Sequence, residues 1–435
     1  MNNYESYKET DIPWLGEIPS HWEINRVKRF FYIFKDISYK KNPVVLSLAR
    51  DKVKIRDIES NKGQLAENYN NYNSVKKGDL LLNPMDLYSG ANCNISNYDG
   101  VISPAYINLR SNKDISVNFF DYIFKLQYTS LAFQSVGKGV SKYNRWTLSN
   151  ETLLNYQLPI PPISEQIKIA NYLDWKINEI DRLILIEKEQ IKELNHHKKL
   201  LISYEYSKQN KKRRIKTLLA EQLLYGINET GKENGNIRFV RITDIDTLGN
   251  LKNENILYLN KCDKKFLLIE DDILFARSGA TVGKTYLQKK ETSDMAFAGY
   301  LIRARINKNL INPKYVYYYF QSQEYEIWKE SIFIQSTIQN ISAERFANLE
   351  IPFADKLEQN IIIKRVKNII AKTEKILNLL NEKISNLQAL KQSLIAEVVT
   401  GKIDVRNITI PQYEKVETIL ETDDINGLEV QDYGD

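Results

Sequence analysis

The segment Gly279-Ala280-Thr281-Val282-Gly283-Lys284-Thr285 has the residue types of a phosphate-binding loop, with glycines that let backbone N–H groups close on an anion and a lysine to meet it. Such a loop needs four residues between its first glycine and the Gly-Lys pair; here only Ala280, Thr281 and Val282 stand there. The following Tyr286-Leu287-Gln288-Lys289-Lys290 is a poor start for the helix whose dipole would face a phosphate, so the segment reads as a glycine-rich turn or a DNA-facing loop. Asn83-Pro84-Met85-Asp86 carries the first half of an Asn-Pro-Pro-aromatic motif but lacks the second proline and the aromatic that would stack on a flipped base. Asp271-Asp272 could hold magnesium, but no clustered partner completes a nuclease site, and a loop before a strand explains the pair better. Three histidines, His21, His196 and His197, leave almost no material for a zinc hydrolase or a His-based triad. Cys93 and Cys262 form neither a disulfide framework nor a metal spacing, which points to a reducing compartment. No catalytic residue and no metal site is assigned.

What remains suits nucleic acid. Lysine and arginine neutralise phosphates, while arginine, asparagine and glutamine can read base edges bidentately in the major groove. The first half of the chain offers Lys40, Lys41, Arg50, Lys52, Lys54 and Arg56, then Tyr88, then Lys138, Lys142 and Arg145 within Gly137–Trp146. The second offers Arg238, Arg241, Arg277, Ser278, Lys284, Arg303 and Arg305, and the polar run containing Gln335, Ser336, Gln339 and Asn340. From these the DNA-binding set is Lys52, Lys54, Arg56, Tyr88, Lys138, Lys142, Arg145, Arg241, Arg277, Ser278, Lys284, Gln335, Ser336 and Gln339. Basic alternation on a strand is also what a solvated face looks like. The cluster Lys211, Lys212, Arg213, Arg214 reads as a solvated linker or as a phosphate contact.

The elements that would position these residues are written twice. Arg26-Val27-Lys28 recurs as Arg214-Ile215-Lys216, Asp79-Leu80-Leu81 as Asp272-Ile273-Leu274, and Leu158-Pro159-Ile160-Pro161 as Leu349-Glu350-Ile351-Pro352. Glu165-Gln166 then matches Glu358-Gln359, and Leu201-Ile202 matches Leu394-Ile395. The displacements are 188, 193, 191, 193 and 193, and five matches in one order at nearly constant spacing indicate a duplication. Each unit opens with about 130 residues of short β-branched and aromatic runs punctuated by Gly, Asn and Asp, a β-rich domain.

A long helix follows each domain. In the first, with Ser164 as candidate N-cap, Ala170, Leu173, Ile177, Ile180, Ile184, Glu187, Ile191, Leu194, Lys198 and Leu201 fall at alternating steps of three and four, a coiled-coil seam. In the second the series is Val366, Ile370, Thr373, Leu377, Leu380, Ile384, Leu387, Lys391, Leu394 and Val398, with Gly401 placed to stop the helix. Two seams of equal length in one chain most economically bury each other. At about 1.5 Å per residue such helices are far longer than a compact domain needs and act as spacers.

Length and composition agree with a multidomain globular protein: 435 residues, 43% hydrophobic and 27% charged. No run approaches the ~18 apolar residues of a membrane span and the first twenty residues lack a signal pattern, so the expectation is cytoplasmic. The net charge of +6 suits an anionic partner, the more so because the residues from Glu414 onward hold eight acidic groups against Lys415. That acidic stretch reads as an unstructured tail.

The motifs together resemble the specificity subunit of a Type I restriction-modification system. The resemblance rests on Ile12-Pro13-Trp14-Leu15-Gly16-Glu17-Ile18-Pro19 with His21-Trp22-Glu23, on Asn83–Ala91 and Ser103-Pro104-Ala105-Tyr106, and on Phe239–Ile245 and Arg277–Lys284. It is completed by Leu158–Pro162 with Glu165-Gln166 and by Leu394-Ile395 through Asp404. It implies an α+β chain in which two mainly β target recognition domains alternate with two long helices that pair as an antiparallel coiled coil. The implied bounds are 1–158, first recognition domain with an N-terminal conserved segment; 159–210, central helix; 211–353, second recognition domain; 354–406, distal helix; and 407–435, acidic tail. It also implies a non-catalytic subunit that reads an asymmetric bipartite site in double-stranded DNA. Two methyltransferase subunits, with two restriction subunits in the full complex, would act there by adenine N6-methylation or ATP-dependent cleavage. S-adenosylmethionine, ATP and Mg would be held by those partners. Leu349–Phe353 lacks the second of the paired prolines Pro161-Pro162, with Phe353 in its place, which would loosen that junction. A structural coiled-coil adaptor, or a P-loop or methyltransferase enzyme, is the alternative.

Overall fold

A computed structural model describes residues 3–37, 43–58, 68–87, 92–139, 146–246, 249–279, 282–290, 293–333 and 340–416. The chain divides into two units, Met1–Ile186 with Lys383–Asp435, and Glu187–Glu382.

In the first unit the apolar run Leu80–Leu82, buried on both faces, is an inner strand of a four-stranded antiparallel sheet ordered Phe31–Ile33, Ile107–Ser111, Leu80–Leu82, Cys93–Ile95. The helix Val117–Thr129 packs on it. Ser116 caps this helix by accepting from the Phe119 N–H, and Phe119, Phe120, Ile123 and Phe124 are wholly buried, each contributing about 1.5–3 kcal/mol. The second unit repeats the sheet as Leu224–Tyr225, Leu301–Ala304, Ile273–Ala276, Thr285–Leu287. Its helix Pro313–Tyr319 starts with Asn312 as cap and proline in the first turn. Helices Gln323–Phe333 and Ala343–Asn348 follow, so the aromatic runs of both β-rich domains supply helices as well as strands.

The duplication is visible at single hydrogen bonds. Asp79 accepts the Lys76 N–H at 2.9 Å and both nitrogens of a bidentate Arg110 at 2.8 and 2.7 Å. Asp272 accepts the Ile269 N–H at 2.9 Å and a bidentate Arg305 at 2.9 and 2.8 Å. Each aspartate is buried, so its charge needs this full set of donors. Asp272 is therefore a pillar of the domain, and Arg305 is committed to it. Gln166 accepts the Ser116 N–H and donates to the Pro161 carbonyl; Gln359 does the same with Asn312 and Ala354. Both glutamines thus join a long helix to the first turn of a domain helix.

A two-stranded ladder closes each domain at its base, Glu23–Arg26 with Gln157–Ile160 and Lys212–Arg214 with Glu350–Pro352. Lys212–Arg214 of the basic cluster are therefore not a linker but a strand, with Arg213 over the Phe353 ring and Arg214 3.4 Å from Glu350. Nor is the second junction loosened by its missing second proline. The Phe353 N–H extends the ladder to the Lys211 carbonyl at 2.8 Å, and the Asp355 side chain caps the helix through the Glu358 N–H at 2.9 Å.

The long helices span Ile163–Ser207 and Lys356–Val399. The first begins one residue before Ser164, with the Pro162 carbonyl accepting from the Glu165 and Gln166 N–H groups, so Ser164 lies in the first turn and is not the cap. In the first unit Ile180 and Ile184 share a core with Leu387, Leu394 and Val398; in the second Ile202 shares one with Ile362, Val366 and Ile370. Start packs against end in both, which makes the pair antiparallel. The polar seam position Lys391 donates to both oxygens of Asp181 at 2.8 Å. Its counterpart Lys198 lies near Glu374, the residue equivalent to Asp181, and burial lowers the Lys198 pKa. One seam assignment fails. Leu201 is half exposed and Ile202 fully buried, because a helix turning at 3.6 residues drifts away from a 3.5-residue pattern. Gly401 ends the second helix at φ +79°, where a Cβ would strike Pro19 and Trp22.

Glu165 gathers the N-terminal segment. It accepts from the Tyr4 hydroxyl, from Trp22 Nε1 at 3.0 Å and from His21 Nε2 at 2.9 Å, so His21 serves a buried carboxylate. Residues 407–416, assigned to the tail by composition, lie along the first helix instead: Asn178 donates to the Glu414 carbonyl at 2.9 Å and accepts from the Val416 N–H at 2.7 Å, while Ile408 and Ile410 pack on the core. The acidic residues beyond 416 lie outside the described residues.

Candidate nucleic-acid interface

Each unit presents its polar loops from one backbone frame. In the first, the Leu148 N–H bonds the Pro84 carbonyl at 2.8 Å, tying the loop after strand Leu80–Leu82 to the segment before helix Asn150–Asn155. In the second, the Ile341 N–H bonds the Arg277 carbonyl at 2.8 Å, tying the loop after Ile273–Ala276 to the segment before Ala343–Asn348. The serine that follows caps the short helix in both cases, Ser149 accepting from the Thr152 N–H and Ser342 from the Arg345 N–H. Donor, acceptor and cap are all displaced by 193 residues. The frame is shared and the side chains are not: Pro84 and Met85 in one unit stand where Arg277 and Ser278 stand in the other.

The first unit places Lys52 and Lys54 on the hairpin Leu46–Leu48/Val53–Ile55, with Lys52 exposed and Lys54 half-buried, and Arg56 just beyond it. Lys138 is exposed and exchanges both backbone hydrogen bonds with Thr147, at 2.9 and 2.8 Å, so it opens a loop whose two ends are pinned together. Tyr88, Lys142 and Arg145 lie outside the described residues, as do Gln335, Ser336 and Gln339.

In the second unit Arg277 is half-buried, its guanidinium 4.8 Å from the centre of the Tyr225 ring and its Nε 3.5 Å from Asn340 Oδ1. Ser278 bridges Asn340 across two backbones. The described residues of the phosphate-loop look-alike, Gly279 and Val282–Lys284, stand between the hairpin strands Ile273–Ala276 and Thr285–Leu287; Ala280 and Thr281 lie outside the described residues. The Gly283 N–H is bound to the Ala276 carbonyl at 2.7 Å and the Val282 N–H to Gly279 at 3.0 Å, so these donors serve the hairpin and do not wrap an anion. Gly283 has φ +80° and packs on the Lys329 side chain. Lys284 is half-buried, and burial, with Lys252 nearby, lowers its pKa.

Three arginines read as nucleic-acid candidates bond to groups of their own domain. Arg303 is 2% exposed and donates to the Lys265 carbonyl and Glu221; Arg305 is bound to Asp272 and Glu221. Arg241, one of the predicted DNA contacts, closes a capping box with Asp244 and donates to the Asn255 carbonyl at 2.8 Å. Asn340, part of the polar run named from the sequence, meets Arg277 here, whereas Tyr225 and the exposed Tyr300 were passed over; their only signal was position beside Arg277 in space, not in sequence. Among the described residues no group of three or more His, Cys, Asp or Glu could hold a metal ion, and no helix is long and apolar enough to cross a membrane.

A family model for the Type I restriction modification DNA specificity domain matches residues 19–196 and again 227–386. The Type I restriction enzyme MjaVIII specificity subunit of Methanocaldococcus jannaschii is 22% identical, over 92% of this chain and 98% of that protein. The Type I restriction enzyme EcoBI specificity subunit of Escherichia coli is 23% identical, over 87% of this chain and 84% of its own. A chain solved in a study of complex assembly and conformational transition of the type I R-M system superposes with TM-score 0.62 at 15% identity, over 89% of this chain and 99% of that one. That likeness is one of fold.

Proposed function

This chain belongs to the Type I restriction modification DNA specificity family, and from that premise we propose that its two units read the two unlike halves of one bipartite site in double-stranded DNA. The observation that carries the reading is the repeated frame. The same hydrogen bond and the same serine cap hold the loops of both units, while residues on those loops differ, Pro84 against Arg277 and Met85 against Ser278. One scaffold used twice with different side chains reads two different sequences, which makes the combined site asymmetric.

In this reading the chain performs no chemistry. Its long helices supply the spacing and the docking surface for two methyltransferase subunits, and for two restriction subunits in the full complex. Those partners hold S-adenosylmethionine, ATP and Mg, methylate adenine at N6 within the site, and cleave unmethylated DNA in an ATP-dependent reaction. The work is cytoplasmic, where the chromosome to be marked and the foreign DNA to be cut are found. Mapping N6-methyladenine across the genome with the gene present and deleted tests this. A bipartite, asymmetric motif should lose its methylation on deletion; a methylome unchanged by deletion would exclude the role.

A further inference from the structure

Tyr300 is exposed over 66% of its surface, yet it stands on a turn held from three sides. The turn closes on itself through the Leu301 N–H to the Ala298 carbonyl at 2.8 Å. Residues 226–228 grip its flank, with the Gly299 N–H bound to the Ile227 carbonyl at 2.8 Å and Gly299 packed against the Asn228 side chain. The Tyr300 carbonyl accepts the Arg277 N–H at 3.0 Å, which fixes the aromatic residue beside a candidate reader. An exposed phenol ring on a rigid turn carries little entropy cost into a contact, and around it are Arg277, Asn340 and the exposed Asn228, the residue types that read guanine and adenine edges.

The fold itself does not need the ring. Ile107 pairs with Leu82 as Ile302 pairs with Phe275, so the turn Ser103–Tyr106 of the first unit corresponds to Ala298–Leu301 and closes by the same bond, Tyr106 N–H to Ser103 carbonyl at 3.1 Å. The corner residue there is Ala105, also exposed. One unit builds the turn with a methyl group and the other with a phenol, on a turn closed by the same hydrogen bond and exposed in both. The ring's purpose therefore lies outside the domain.

We propose that Tyr300 is a specificity-determining residue of the second unit, packing its ring against a nucleobase of the half-site while Arg277 and Asn340 bond neighbouring base edges. The inference rests on the reading of the second unit as a DNA reader. The test uses the full chain assembled with its methyltransferase subunits, as wild type, Tyr300→Ala and Tyr300→Phe. Affinity is measured for a duplex carrying the wild-type motif and for one without it, and the methylated motif of each variant is mapped. Tyr300→Ala should bind the motif roughly 5- to 100-fold more weakly, bind the other duplex as wild type does, and relax a position in one half-site only. Tyr300→Phe, which keeps the ring, should restore the motif. A wild-type motif and affinity left intact by Tyr300→Ala would overturn the inference alone, as would equal loss on both duplexes. A wild-type complex with no preferred motif would overturn the recognition role and this inference with it.

Discussion

At the scale of single residues, the arginines of the second unit separate into those that hold the domain and those that face outward. Arg303 is buried with its donors on Glu221 and the Lys265 carbonyl, whereas Arg277 is half-buried beside Tyr225 and Asn340. Arg303→Ala should lower folding stability by about 1–3 kcal/mol in urea denaturation, because it removes a buried side chain that packs over the Phe297 ring and bonds Glu221 and the Lys265 carbonyl. Arg277→Ala and Lys284→Ala should leave that transition nearly unchanged and instead weaken DNA binding, or relax one half-site, by about 1–3 kcal/mol in the assembled complex. Neither variant nor wild type should bind ATP by calorimetry; a nucleotide affinity that Lys284→Ala abolishes would contradict the hairpin reading of this loop. The decoy was recognisable in the sequence by its missing residue. The partition of arginines was not, since Arg303, Arg305 and Arg277 look alike until strand register decides which side chain faces the core and which meets Asp272. Tyr300 was hidden for the same reason: only the fold brings it to Arg277.

At the scale of elements, the two helices were the most legible part of the chain, because a three-four apolar repeat depends on nothing but its own spacing. Even its polar members make sense, Lys391 meeting Asp181 across the seam. The exchange of Leu201 for Ile202 and the one-residue error at Ser164 belong to helix ends, where drift and capping take over from periodicity. The tail misread had another cause: composition foresees disorder, but cannot foresee that the Asn178 amide meets the Glu414 carbonyl and the Val416 N–H. If helix length sets the gap between the two half-sites, four residues inserted near the middle of either helix add about 6 Å and keep the seam nearly in phase. The unread spacer of the methylated motif should then lengthen by one or two base pairs with both half-sites unchanged. Two inserted residues rotate the seam by about 200° and should abolish assembly, measured by co-purification of the methyltransferase.

At the scale of the whole molecule, the duplication gives each unit its own sheet, its own Asp–Arg pillar and its own loop frame. The ladder Glu23–Arg26 with Gln157–Ile160 closes the first domain at its base, so an exchange inside it keeps the ladder and the Glu165 cluster and needs from the incoming domain only the helix start that Gln166 holds through the Ser116 N–H and the partner that Asp174 finds in Tyr122. The most direct measurement of the central claim is therefore a replacement of roughly residues 30–155 by the equivalent domain of a relative, followed by a genome-wide map of N6-methyladenine. Two independent readers predict a hybrid motif in which one half-site is new and the other is unchanged. A motif altered in both halves at once, from a complex that still assembles and methylates, would contradict it.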